Sequence, residues 1–198
     1  GDTNETKGLY SVIVGGKEND AGSLAGVVVG GEQNKAGTPG KYTAVLGGKL
    51  NVASADTSVV SGGQNNKVYA TSAAVSGGES NEVYAVFASI AGGQENIIGE
   101  KGGDPNAASA SSIVGGRLNK ILSKQSTIAG GKDMTLSGEL SSSLGGRLGK
   151  ISGQEAVLVG GVNVTISGGG SVSVGGSDHK VQGSTSVLLG GDGNEILS

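Results

Sequence analysis

The chain has 198 residues, with 14 lysines and arginines against 17 acids, a formal net charge of −3 and no cysteine. Its 41 glycines, single phenylalanine and lack of tryptophan argue against an ordinary packed core, so apolar side chains must be gathered in another way. The mild charge does not indicate nucleic acid or an anionic membrane surface as a partner, and the absence of cysteine excludes disulfides, thiolate metal sites and cysteine nucleophiles.

An internal repeat organises the whole chain. Gly-Gly pairs begin at Gly15, Gly30, Gly47, Gly62, Gly77, Gly92, Gly115, Gly130, Gly145, Gly160, Gly175 and Gly190. Their spacing is 15 residues, apart from two insertions that we place near residues 37–42 and 99–107. Fifteen residues hold two short strands and two tight turns, but not a pair of helices. The sequence therefore predicts an all-β protein, a parallel β-roll or solenoid of about twelve rungs of one repeat each, forming a single domain over residues 1–198.

The first predicted strand of each rung precedes Gly-Gly. The residue two places before the pair is a branched aliphatic in ten of twelve rungs, and its neighbours on both sides are apolar or small. This strand is therefore predicted to be buried on both faces, with one face covered by other copies of the chain. Left uncovered, the stripe would be roughly 58 Å long at about 4.8 Å per rung, too large for a soluble monomer. The residues that we assign to the axis of a cyclic homo-oligomer are Ile13, Val28, Val45, Val60, Val75, Ile113, Ile128, Leu158 and Leu188.

The second predicted strand of each rung lies six residues after the first glycine. That position is apolar in all twelve rungs, and its neighbours are mostly polar, as in Lys67-Val68-Tyr69. This alternation predicts a strand that faces water on one side. Between the two strands, eight rungs carry Asn four residues after the first glycine. Because Asn tolerates left-handed backbone angles, we predict that this Asn is the residue that makes a tight turn.

The rungs resemble the head domains of trimeric autotransporter adhesins, the YadA-like bacterial surface proteins, in the subset with the repeat Gly-Gly-x-x-Asn. SVVSGGQNNKVYATS at 58–72 and SSIVGGRLNKILSKQ at 111–125 carry the likeness, which extends from about residue 11 to residue 198. The resemblance implies a homotrimer of left-handed parallel β-rolls at the bacterial cell surface, displayed on a coiled-coil stalk and held in the outer membrane by a C-terminal barrel. We expect this chain to be a fragment of such a protein, soluble in itself and attached to the membrane only through an anchor outside it.

Residues suited to catalysis are scarce. His179 is the only histidine and occupies the Asn position of its rung, where it is a polar turn residue or, alternatively, a general base. The serines have no histidine within their repeat. We therefore expect no enzymatic activity, no cofactor and no bound metal.

Binding of a partner is predicted where insertions and aromatic side chains are added to the repeat. Both insertions follow the second strand and should protrude along one edge, with Tyr69 and Tyr84 between them on adjacent rungs. Exposed tyrosine is a common interface anchor, although a tyrosine stack that merely stiffens the roll is an equal alternative. The predicted receptor-binding residues are Tyr42, Tyr69, Tyr84, Phe87, Lys41, Lys101 and Asp104.

The partner is expected to be a host protein. The resemblance implies an immunoglobulin-type receptor of the CEACAM group, or collagen, fibronectin or laminin of the extracellular matrix. A discrete protruding patch favours the folded receptor, and a spacer without a ligand of its own is the alternative. A second candidate surface is the basic column Arg117, Lys132 and Arg147, with Lys120 and Lys150, as solvated surface or as a site for an anionic glycan.

Overall fold

The chain is a parallel β-solenoid of about thirteen turns. The computed structural model describes residues 2–197, which form strands, turns and bends and contain no helix. Within this range there is accordingly no helix with the length and apolarity needed to cross a membrane. The predicted all-β solenoid is confirmed. The number of turns exceeds the predicted twelve rungs because a strand at Glu5–Thr6, ahead of the first Gly-Gly pair, already pairs with the strand of the next rung.

Two parallel sheets extend along the described residues. The thirteen-stranded sheet consists of β1 (Glu5–Thr6), β3 (Asp20–Ala21), β5 (Lys35–Ala36), β7 (Val52–Ala53), β9 (Lys67–Val68), β11 (Glu82–Val83), β13 (Ile97–Ile98), β15 (Lys120–Ile121), β17 (Thr135–Leu136), β19 (Lys150–Ile151), β21 (Thr165–Ile166), β23 (Lys180–Val181) and β25 (Glu195–Ile196). The twelve-stranded sheet consists of β2 (Val12–Ile13), β4 (Val27–Val28), β6 (Ala44–Val45), β8 (Val59–Val60), β10 (Ala74–Val75), β12 (Ser89–Ile90), β14 (Ser112–Ile113), β16 (Thr127–Ile128), β18 (Ser142–Ser143), β20 (Val157–Val159), β22 (Val172–Val174) and β24 (Val187–Leu189).

The register between rungs follows the repeat. Val68 pairs with Val83 in one sheet and Val60 with Val75 in the other, so equivalent positions lie directly over one another. A third ladder of single-residue bridges joins the positions two residues after each first glycine, as between Gln64 and Glu79. Each sequence column is therefore a physical line of side chains running along the solenoid.

Most strands direct one apolar side chain into the solenoid interior, whereas β18 and β22 direct Ser143 and Ser173 inward. Val60 of β8 and Val68 of β9 are both fully buried, as are their equivalents along most of the chain. Burial of a valine-sized side chain contributes about 1.5–3 kcal/mol, and such a side chain recurs in most strands. The core is thus a narrow column with two apolar strand side chains in most rungs and a buried serine in two of them.

The structure corrects the placement of the residues assigned to the oligomer axis. All of them point into the solenoid: Val28, Val45, Val60, Val75, Ile113, Ile128 and Leu158 are fully buried, Leu188 is 6% exposed, and Ile13 in the first complete rung is partly buried. Since side chains alternate along a strand, their neighbours on either side face outward instead. The exposed apolar members of these flanking columns, which we call the apolar stripe, are Val12, Val14, Val29, Leu46, Val114, Leu144, Val187 and Leu189.

Seven of the eight asparagines in this column are buried hydrogen-bonding groups, and none of the eight is the left-handed turn residue that the sequence predicted. Asn66 is fully buried, and its Nδ2 donates to the carbonyl oxygens of Gly62 at 3.0 Å and Gly78 at 2.9 Å. Its Oδ1 accepts the backbone N–H of Asn81 at 3.0 Å, linking one rung to the next. The positive φ belongs to the preceding residue, Asn65, at 54°. The turn was therefore predicted one residue too late.

Candidate functional site

The tyrosine pair, Tyr69 and Tyr84, lies on the outer face of the thirteen-stranded sheet. Each tyrosine directly follows a strand whose last valine points inward, so each ring points outward. The backbone N–H of Tyr69 donates to Val83 O at 2.9 Å, which fixes the position of one rung against the next. The rings stack with centroids 5.2 Å apart and planes inclined by 12°. The two tyrosines predicted to share a column are therefore in direct contact.

Polar neighbours hold Tyr84 in place. Its hydroxyl donates to Glu82 Oε2 at 2.6 Å, and the other oxygen of Glu82 pairs with Lys67 Nζ at 3.3 Å. Partial burial and the adjacent carboxylate raise the pKa of Tyr84 well above its ordinary value, since both disfavour the phenolate. Sequence analysis did not single out Glu82, although its position two residues before Tyr84 on the same outward face was a usable signal.

Two hollows flank the tyrosine pair along the solenoid. Beside Tyr69, a depression of about 380 Å³ is lined by Pro39 and Gly40 of the first insert, together with Ser54. Beside Tyr84, and also in contact with Tyr69, a depression of about 410 Å³ is lined by Glu100, Lys101, Gly102, Gly103 and Pro105 of the second insert. The rings therefore form a ridge with a hollow on each side, and each hollow has one insert as its wall.

Small residues in the tyrosine column account for these hollows. Ser54 precedes Tyr69 by one rung and Gly99 follows Tyr84 by one rung, so no large side chain covers the outer faces of the rings there. Gly99 has a φ of 84°, which favours glycine, and the second insert departs from this residue.

Backbone groups of both inserts are held by hydrogen bonds to other backbone groups or to aspartate side chains. In the second insert, Pro105 O accepts the N–H of Val86 at 3.0 Å, and Asp104 Oδ1 accepts the N–H of Asn106 at 2.9 Å. In the first insert, the N–H of Lys41 donates to Asp56 Oδ1 at 2.8 Å. Their walls are thereby ordered before any partner arrives.

The predicted binding residues fall into two groups. Lys101 lines the hollow beside Tyr84, and Asp104 lines a smaller depression of about 130 Å³ within the same insert. Tyr42 and Phe87 instead occupy a corner column with φ of 57°, where they are 60% and 67% exposed. Neither lines the hollows described above, so the structure separates them from the tyrosine pair.

The single histidine is an interior group. His179 is 1% exposed, its Nε2 lies 3.1 Å from Gly191 O, and its Nδ1 lies 3.5 Å from Ser173 Oγ. Because a carbonyl only accepts, Nε2 carries the proton and His179 makes the bond that asparagine makes in other rungs. The contact with Ser173 was not anticipated from the sequence, but both side chains are enclosed. Among residues 2–197, no three histidine, aspartate or glutamate side chains are grouped to hold a metal.

Comparison with models of known protein families gives no match, and comparison with curated proteins gives no significant similarity.

Proposed function

We propose that this chain is the head of a bacterial trimeric autotransporter adhesin, a left-handed β-roll displayed at the cell surface and anchored in the outer membrane by a segment outside it. The proposal rests on the Gly-Gly-x-x-Asn rungs, which resemble those heads, and on the parallel solenoid that they build. We further propose that the tyrosine pair docks a host cell-surface protein.

The observation that carries the docking proposal is the ridge between two hollows. Tyr69 is 43% exposed although it stacks on Tyr84, so a large aromatic surface remains in contact with water. Interfaces draw much of their energy from such aromatic anchors, and Tyr84 is already oriented by Glu82. Hollows of about 380 and 410 Å³ suit side chains that protrude from a folded domain. This geometry supports an immunoglobulin-type receptor of the CEACAM group over an extended matrix fibre.

The apolar stripe supports a homo-oligomer, and the resemblance to the adhesin heads leads us to propose a trimer. Leu144 is 62% exposed, and Val14 and Leu189 near the two ends of the solenoid are each 72% exposed. Exposed apolar side chains that recur on one face along the solenoid mark an interface that another copy of the chain covers. Between Leu46 and Val114 the same column has small residues instead, such as Ser76 and Ala91, which allow close approach there.

The receptor experiment uses purified chain and immobilised CEACAM ectodomain, with collagen, fibronectin and laminin as parallel ligands. Tyr69→Ala with Tyr84→Ala should weaken receptor binding at least about 30-fold, the loss typical of a hot-spot residue. Tyr10→Ala is the matched control, because Tyr10 is 78% exposed but lies on the corner column in the first complete rung.

Each outcome decides between the candidates. Unchanged binding by the double variant would exclude the tyrosine pair as the docking site. Binding only to a matrix protein would replace the receptor class, and a folded oligomer that binds none of the four ligands would favour the spacer. Because the tyrosines also stack across rungs, thermal unfolding of each variant is measured alongside binding. This measurement distinguishes a variant that has lost binding from one that has failed to fold.

Oligomerisation is tested separately by light scattering. Wild type is expected to have three times the mass of one chain, and Leu144→Glu should lower that mass by placing charge in the apolar stripe. Ser152→Glu is the control, since Ser152 is exposed in the column of the tyrosines. A monodisperse wild-type monomer would refute the trimer.

A further inference from the structure

Three cations occupy consecutive positions of the third ladder. Arg117 bridges to Lys132, and Lys132 bridges to Arg147, so equivalent charged positions are one rung apart. We call Arg117, Lys132 and Arg147 the basic ladder. All three side chains are exposed, and together they span two rung spacings, about 10 Å. Like charges directly opposite one another in a sheet are destabilising, so this run works against the fold.

The same ladder avoids this repulsion nearer the N-terminus. There Lys17 bridges to Glu32, which bridges to Lys49, and Lys49 Nζ lies 3.2 Å from Glu32 Oε2. In the basic ladder, Lys132 has only a 3.9 Å contact with Asp133. Within residues 2–197, neither arginine of the basic ladder forms a salt bridge. The repeat therefore permits charge alternation, and the basic ladder departs from it.

The surrounding rungs have the same charge bias. The charged residues between positions 108 and 152 are six cations and two acids, for a local charge of +4 in a chain of −3: Arg117, Lys120, Lys124, Lys132, Arg147 and Lys150, with Asp133 and Glu139. Lys120 is paired with Glu100 at 3.2 Å, outside this range, but positive charge remains in excess over these rungs, and such an excess attracts an anionic partner.

We infer that the basic ladder binds a linear sulfated polysaccharide lying along the solenoid. Arginine at both ends offers planar donor forks that fit the several oxygens of an oxyanion, and the regular rung spacing suits a chain with repeated charges. Residues 108–152 contain no aromatic side chain on which bases could stack, which disfavours single-stranded nucleic acid. This inference does not depend on the tyrosine pair or on the receptor proposal.

The test measures binding to immobilised heparin as a function of salt. The triple variant R117Q/K132Q/R147Q is expected to bind about 10- to 100-fold more weakly, as for the loss of three surface charge contacts, and with a shallower salt dependence. The matched control K17Q/K35Q/K49Q removes the same charge from other rungs and should bind like wild type. Because the triple variant removes repulsion, its melting temperature should equal or exceed that of wild type.

Four outcomes would overturn the inference. These are wild-type affinity in the triple variant, an equal loss in the control, undiminished binding to desulfated heparin, and equally tight binding to single-stranded DNA. The first two would leave the basic ladder as solvated surface, and the last two would change the class of ligand.

Discussion

Replacing Asn66 by alanine tests the internal asparagine column most directly. The variant removes the side chain that donates to Gly62 O and accepts from the Asn81 N–H, whereas Gly78 O keeps the N–H of Gln64 at 2.9 Å. Two backbone groups thus lose a partner at about 1–3 kcal/mol each, so the free energy of unfolding should fall by about 2–6 kcal/mol.

The assay is urea denaturation followed by circular dichroism at fixed protein concentration, since association shifts apparent stability. Gln64→Ala is the control, because Gln64 is exposed in the same turn and should change stability by less than about 0.5 kcal/mol. Hydrogen exchange gives a local readout, since the Asn81 amide should exchange faster in the variant. If Asn66→Ala lowers the free energy of unfolding by as little as the control does, the hydrogen bonds of Asn66 do not stabilise the solenoid.

Further predictions concern the tyrosine pair, the glycine pair and the histidine. In an alkaline titration followed by ultraviolet absorbance, Tyr84 should ionise above the ordinary tyrosine range. Because its pKa is raised in the folded state, its contribution to stability is present below about pH 10 and lost as pH rises through the folded pKa; a late transition that survives in Tyr84→Phe would contradict this. Gly63→Ala should lower the free energy of unfolding by at least about 2 kcal/mol, because φ there is 84° and a Cβ would meet the backbone of the next rung. A Cβ at Gly62 would meet open space, so Gly62→Ala should lower the free energy of unfolding by less than about 1 kcal/mol. Equal melting temperatures for Gly62→Ala and Gly63→Ala would refute the distinction between the two glycines. His179→Asn should unfold within about 1 kcal/mol of wild type and His179→Ala should be less stable than either, because only the asparagine restores the bond to Gly191.

The sequence predicted the solenoid because its period is longer-ranged than any local propensity. Fifteen-residue spacing leaves few architectures, and the column of Val68 and Val83 identified one interior position correctly. The interior position of the first strand was harder to predict, since three consecutive apolar residues do not show which of them points inward. Only the course of the backbone places Val60 inside and its neighbours outside.

The asparagine column and the hollows show the remaining limits. Asparagine is favoured both at left-handed turns and as a buried partner for backbone groups, so its recurrence alone does not separate the two roles. The left-handed positions carry residues as different as Leu50 and Asn65, and the propensity for left-handed angles favours only the asparagine. Tyr69 and Tyr84 were predicted to share a column, but the hollows beside them depend on inserts that break the repeat and are not determined by its period.

The direction of the inter-rung hydrogen bonds determines how the roll responds to mechanical force. The bonds run along the solenoid, and the described chain begins in its first rung and ends in its last, so tension between these ends loads successive ladders in series. Rungs loaded this way separate one at a time from an end, and each released repeat adds 15 residues, or about 50 Å of extended chain. Under tension the roll therefore lengthens in steps as its terminal rungs unfold. The tyrosine pair lies several rungs from either end and keeps its geometry until unfolding reaches its rungs.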